Sequence, residues 1–145
     1  MLIGHWPKAK ECGLAWVNDK GLSANVAEYG YSLSNVDVDG DYYCDFPLTP
    51  VHEVGHNLGL RHDRANNNYP SATSYNFGSV NLAARIRTIM AYDSQCTSKG
   101  FSCKQVESFS TPNELGPGGA KLGTERSEDN MEMLCRMATV VEQFR

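Results

Sequence analysis

No stretch of the 145-residue chain approaches the run of about 18 apolar residues that a membrane-spanning helix needs, so no span is expected. Basic residues are in deficit. Thirteen Lys and Arg against 17 Asp and Glu leave a net charge of −4, with no basic stripe, which argues against a nucleic-acid partner. The opening residues MLIGHWPKAKECG lack the long apolar core of a signal peptide. The five cysteines, Cys12, Cys44, Cys96, Cys103 and Cys135, include no CxxC pair and no zinc-knuckle spacing. No internal repeat or low-complexity tract is visible. Histidine is scarce too: there are four, and three fall between positions 52 and 62.

What is present suits one globular domain over 1–145. Apolar residues make up 41% and charged residues 21%. A chain of this length buries about 68–70% of the surface its unfolded form would expose, enough for one core.

The informative stretch is HEVGHNLGLRHD at 52–63. On a helix, residues four apart leave the same face one turn apart. His52 and His56 can therefore bind one metal ion from the same side. Glu53 sits next to the first of them, within reach of a metal-bound water. Gly59 accepts a sharp turn because glycine tolerates positive φ, and His62 can swing back as a third nitrogen ligand. Three protein ligands leave a fourth position open, the mark of a catalytic rather than a structural zinc. The competing reading, a surface helix with solvated histidines, does not account for Gly59 and His62 at these offsets.

The pattern HExxHxxGxxH resembles the metzincin clan of zinc endopeptidases. Asp63, after the third histidine, resembles the reprolysin (adamalysin) branch. RTIMAYD at 87–93 resembles bacterial reprolysin-like peptidases. The resemblance implies an α+β fold with a mixed sheet, a zinc-binding active-site helix, a Met-turn and a C-terminal helix. It implies Zn2+ on His52, His56 and His62, and Met90 packed beneath them without binding metal. It implies hydrolysis of peptide bonds by a zinc-activated water with Glu53 as general base. Tyr92, two residues beyond Met90, is a candidate for a catalytic role at the oxyanion; packing within the turn is the alternative. Residues Gly13, Leu14, Ala15, Trp16 and Val17 resemble the edge strand that borders the cleft and pairs with extended substrate. FSTPNELGPGG at 109–119 resembles the segment shaping one side of that cleft. Partners are thus protein or peptide substrates. Some of the bacterial peptidases resembled prefer acidic residues, which one of Arg61, Arg64, Arg85 and Arg87 could favour; for each of them singly, a solvated or structural arginine is the favoured alternative. The rival reading is a non-catalytic zinc-stabilised binding module or an inactive protease fragment. Metzincins carry several strands and a long helix before the edge strand, whereas 11 residues precede Cys12 here. The first strands are therefore expected to be missing, leaving sheet edges and part of the core exposed.

The remaining expectations are local. Strands are expected at 2–6, at 12–18, and within 24–36 through alternating Tyr29, Tyr31 and Leu33. Residues 18–21 read as a turn. Asp37, Asp39 and Asp41 imitate the opening of a calcium loop. Tyr42 and Leu48 stand where an EF-hand needs Gly and Glu, so an acidic turn is favoured over a Ca2+ site. Thr49 suits a helix N-cap and Pro50 the first helical position, with Val51, Val54 and Leu58 as the buried face. Gly55 allows close packing. Residues 64–84 read as a long surface loop. From about Ser127 a last helix is expected, with Met131, Leu134, Ala138 and Val141 as its core stripe and Cys135 buried beside it. Cys96 and Cys103 flank a short loop they could close, and Cys12 and Cys44 flank the stretch before the zinc helix. Two such disulfides imply an oxidising, secreted or extracellular setting. Five reduced thiols in a cytosolic redox protein are the alternative. A monomer is expected.

Overall fold

A computed structural model describes residues 1–4, 6, 11–19, 24–35, 48–67 and 75–143. His5, the acidic turn at 37–41 and Cys44 lie outside the described residues, and with them the calcium reading and the Cys12–Cys44 pairing.

The fold is α+β, with two small mixed sheets. In the first, β1 (Leu2–Gly4), β3 (Ser32–Asn35) and β2 (Gly13–Ala15) lie in the order β1-β3-β2. β1 runs parallel and β2 antiparallel to β3. β2 is an edge strand among the described residues, and Trp16 and Val17 continue beyond it. The expected strand at 24–36 is halved, because Ala24–Tyr29 coil into a 3₁₀ helix and pairing starts at Ser32. The outer face of this sheet is apolar and open. Leu2, Leu33 and Leu14 stand opposite one another in register and are 57%, 41% and 66% exposed.

Helix α1 (Thr49–Asn57) packs against β2 and β3. Leu48 takes the cap position, so Thr49 opens the helix and Pro50 follows it, with no side-chain cap bond. The buried face also differs from expectation. Val51 and Val54 are exposed, whereas Thr49, Glu53, Gly55 and His56 are buried. The helix turns its functional groups inward, so its polar residues occupy the side that amphipathic patterning reserves for apolar ones. Leu58 does pack on the core. A Cβ on Gly55 would lie 2.8 Å from Met90 Sδ and 3.3 Å from Leu60 and Phe109, so the helix rides directly on the core.

The end of α1 is held by amides. Asn18 is buried rather than in an open turn. It donates from Nδ2 to Asn57 O at 3.0 Å, and its N–H reaches His56 O at 3.2 Å. Asn57 Nδ2 donates back to the carbonyls of Trp16, Tyr29 and Tyr31. These bonds satisfy carbonyls that a helix C-terminus leaves open. The chain then reverses through Gly59, at φ +81°.

Residues 75–81 are more than surface loop. Asn76 and Phe77 are buried, and a bridge pairs Phe77 with Arg61. β4 (Val80–Asn81), β5 (Ile86–Arg87) and β6 (Lys104–Gln105) make the second sheet, with β4 antiparallel and β6 parallel to β5. The short helix α2 (Ser94–Thr97) follows, and Cys96 and Cys103 are joined by a disulfide with Cα atoms 5.8 Å apart.

Helix α3 (Asn130–Val141) starts at Asp129, whose side chain accepts the Glu132 N–H. Its buried residues are Asn130, Met133, Met137 and Val140. Met131, Ala138 and Val141 are exposed, and Leu134 packs at the edge. The helix carries two apolar stripes, and periodicity does not say which one meets the core. Met133 and Met137 fit because flexible thioethers fill irregular gaps around Leu60, Ile89 and Met90. Cys135, on the outward side, is an exposed free thiol rather than a buried one. The main core joins Leu60, Ile89, Met90, Met133, Met137 and Val140. No helix among the described residues is long and apolar enough to cross a membrane.

Gly59→Ala would force a Cβ into a left-handed backbone and against Met133 and Asn18 O. We expect a loss of about 2–4 kcal/mol, read as a lower urea midpoint with an unchanged slope.

Candidate metal centre

α1 presents His52 and His56 one turn apart, and the reversal at Gly59 brings His62 to meet them. His62 Nε2 lies 3.1 Å from His52 Nε2 and 3.0 Å from His56 Nε2. The other ring nitrogens are occupied. His52 Nδ1 donates to Ile89 O at 2.9 Å and His56 Nδ1 to Leu60 O at 2.8 Å. A carbonyl accepts only, so each Nδ1 carries the proton and each Nε2 of this pair presents a lone pair. A single proton on His62 Nε2 can point at only one of the two, leaving the other close N···N contact without a hydrogen bond. A cation between the three nitrogens resolves that contact. The three histidines could thus hold a metal ion, with carbonyl partners fixing the tautomers. The electrostatics agree. Burial, then the charge of His56, pulls His52 down to about 4. Burial, then His56 and His52, pulls His62 down to about 3. Burial also lowers His56. Neutral imidazoles are the form that ligates.

Glu53 is buried on the cleft side of α1, and burial raises it to about 7. Gly13 in β2 lies directly over its carboxylate, and a Cβ at that position would collide with it. Tyr92 is 45% exposed, with its ring 4.1 Å from His62 and stacked 6.2 Å from His52. Burial, followed by the charges of Glu53 and Asp63, raises its phenol. Met90 is fully buried beneath the helix.

Asp63 is the joint between the third histidine and the segment after Met90. It is 1% exposed and accepts from Tyr92 N at 2.9 Å, Asn66 Nδ2 at 2.9 Å and Gln95 Nε2 at 2.8 Å. Nothing in the sequence marked Gln95 or Asn66 as its partners.

Two cavities flank Glu53. The larger, about 550 Å³, is lined by Leu48, Thr49, His52, Arg87, Ile89 and Gln105 among others. The smaller, about 370 Å³, includes Leu14, Val17, Arg61, His62 and Asn67. Glu11, Gly13, Glu53 and Tyr92 border both. Thr49 and Gln105 belong to no site motif, and only the fold brings them to the cavity. Of the four arginines, Arg87 and Arg61 reach cavities. Arg61 is ion-paired with Asp19, Arg64 lies over Phe77 at 4.2 Å and Arg85 lies over Phe101 at 4.7 Å.

The sequence profile of the Metallo-peptidase family M12B Reprolysin-like matches residues 2–116. The chain belongs to this family of metallopeptidases. It is 33% identical over 100 residues to a peptidyl-Asp metalloendopeptidase of Stenotrophomonas maltophilia (strain R551-3), covering 66% of this chain and 22% of that protein. A second, from strain K279a, is 32% identical over 98 residues with the same coverage. The chain thus spans about a fifth of the length of these relatives. A solved structure titled "Structure of a chaperone-substrate complex" superposes with a TM-score of 0.59 at 22% identity. It covers 99% of this chain and 20% of its own, a likeness of fold.

Asp63→Ala would remove the acceptor of three partly buried donors at once. We expect a loss of about 2–5 kcal/mol in urea unfolding, well above the effect of a surface Asp→Ala change.

Proposed function

We propose that the chain is the catalytic portion of a zinc metalloendopeptidase with a metzincin-like site, acting on protein or peptide substrates outside the reducing cytoplasm. The observation that carries this reading is the meeting of three imidazole nitrogens with two Nδ1 protons already committed to backbone carbonyls. A solvated histidine cluster has no reason to lock its tautomers this way. Family membership and the names of the two bacterial relatives support the class of reaction. The Cys96–Cys103 disulfide supports the oxidising setting.

In this reading His52, His56 and His62 hold the ion. Zinc bound there supplies a Lewis acid that polarises the scissile carbonyl and makes water reactive near neutral pH. Glu53 takes the proton from the attacking water and delivers it to the leaving amine. β2 offers its edge to an extended peptide, which adds as a further strand. That runs the peptide along the strand whose Gly13 packs against the Glu53 carboxylate, with no space there for a larger side chain. Tyr92, whose ring lies against His62, donates to the developing oxyanion in this reading. The relatives' name, peptidyl-Asp metalloendopeptidase, makes aspartyl peptides the substrate class to test first.

Glu53→Gln is expected to keep one zinc per chain and lose about 100-fold or more in peptide cleavage. Zinc content by mass spectrometry and casein cleavage, with and without 1,10-phenanthroline, check this. Undiminished cleavage by the variant would sink the role of Glu53. Stoichiometric zinc with no cleavage by the wild-type chain would favour a binding module.

A further inference from the structure

We propose that Gln95 is a positioning residue for Tyr92: through the Asp63 carboxylate it fixes the peptide unit that carries the tyrosine, and so the place of the phenol beside the three histidines. The inference rests on the metalloendopeptidase reading, in which Tyr92 donates to the oxyanion, and adds the residue that holds it there.

The Ala91–Tyr92 peptide unit is gripped on both sides. Its carbonyl accepts from Arg87 Nη1 at 2.8 Å, and its N–H donates to Asp63 Oδ1 at 2.9 Å. The other oxygen of that carboxylate, Oδ2, accepts from Gln95 Nε2 at 2.8 Å. A carboxylate only accepts, so Gln95 must turn its NH2 group toward it. Asn66 Nδ2 lies 2.9 Å from both oxygens, but Asn66 belongs to the segment that follows His62. Gln95 reaches the carboxylate from beyond Tyr92. It thereby closes a ring of Asp63, the Tyr92 N–H and the chain from 92 to 95. Tyr92 needs such a hold, because its side chain is 45% exposed and rests on His62 by ring contact at 4.1 Å.

The support behind Gln95 is stiff. Gln95 is half-buried in α2, and its neighbour Ser94 exchanges hydrogen bonds with the Asn66 side chain at 2.7 and 2.9 Å. Cys96, the next residue of α2, is disulfide-bonded to Cys103, whose N–H donates to Asp93 Oδ1 at 2.7 Å. Cys103 leads directly into β6, which pairs with β5. The brace is therefore fastened to the second sheet, while the carboxylate it holds directly follows the third histidine.

The test is a double-mutant cycle on zinc-loaded protein, with rates normalised to bound zinc and a quenched fluorescent peptide taken from a mapped casein cleavage site. Tyr92→Phe is expected to lower kcat about 10-fold or more with KM little changed. Gln95→Leu, which keeps the bulk and loses the donor, is expected to lower kcat about 3- to 10-fold. In the Tyr92→Phe background the same change is expected to cost less than about 2-fold, because the hydroxyl it positions is gone. A packing role predicts the same factor in both backgrounds. Gln95→Lys, which keeps a donor toward the carboxylate, is expected to recover most of the rate. Gln95→Met, a flexible side chain of similar size without that donor, repeats the cycle where the leucine variant does not fold. No zinc-dependent cleavage by the wild type would sink the protease reading and this one together. Gln95→Leu at the wild-type rate, Tyr92→Phe without effect on kcat, or equal factors with and without the Tyr92 hydroxyl would overturn the positioning role and leave the protease standing.

Discussion

His62 Nε2, within about 3 Å of both His52 Nε2 and His56 Nε2, is an unstable arrangement on its own. Two of the three imidazoles are forced into the same tautomer by Ile89 O and Leu60 O, and desolvation withholds the protons that would otherwise relieve them. The surrounding structure exists to maintain that crowding. Gly55 lets α1 sit on Met90, Gly59 turns the chain without strain, and the bridge from Arg61 to Phe77 holds the returning strand. Asp63 then ties the third histidine to the turn that supplies the first one's carbonyl segment.

This demand explains why α1 defies ordinary patterning. A helix normally hides its valines, yet Val51 and Val54 face outward while Glu53 and His56 are buried. The loss in apolar burial is offset by the core beneath, where Leu60, Ile89 and Met90 meet three residues of α3. Function occupies the face that stability would otherwise claim.

The histidines, Glu53, Gly59 and Met90 were legible because their chemistry demands particular residue types at particular spacings. The α+β class was legible through short strand patterns and two helical ones. What stayed hidden depended on which of two equivalent choices the tertiary structure took. α3 carries two apolar stripes at helical spacing, and only packing on Leu60, Ile89 and Met90 selects Met133 and Met137 over Met131 and Val141. Cys135 followed the wrong stripe. Asn18 reads as a turn residue, but it clasps the end of α1 from 39 positions away. Phe77 sits in a polar, glycine-containing stretch with no period, and a single bridge to Arg61 buries it. Such long-range pairings leave no local trace.

The two cavities share a border at Glu53 and Tyr92 and extend to either side of it. In the reading proposed above, a peptide that follows β2 would cross that border and reach both cavities. Its register would then come from the backbone ladder of β2 and from whichever side chain drops into a pocket, so that the choice of bond would be a question of local text rather than of position.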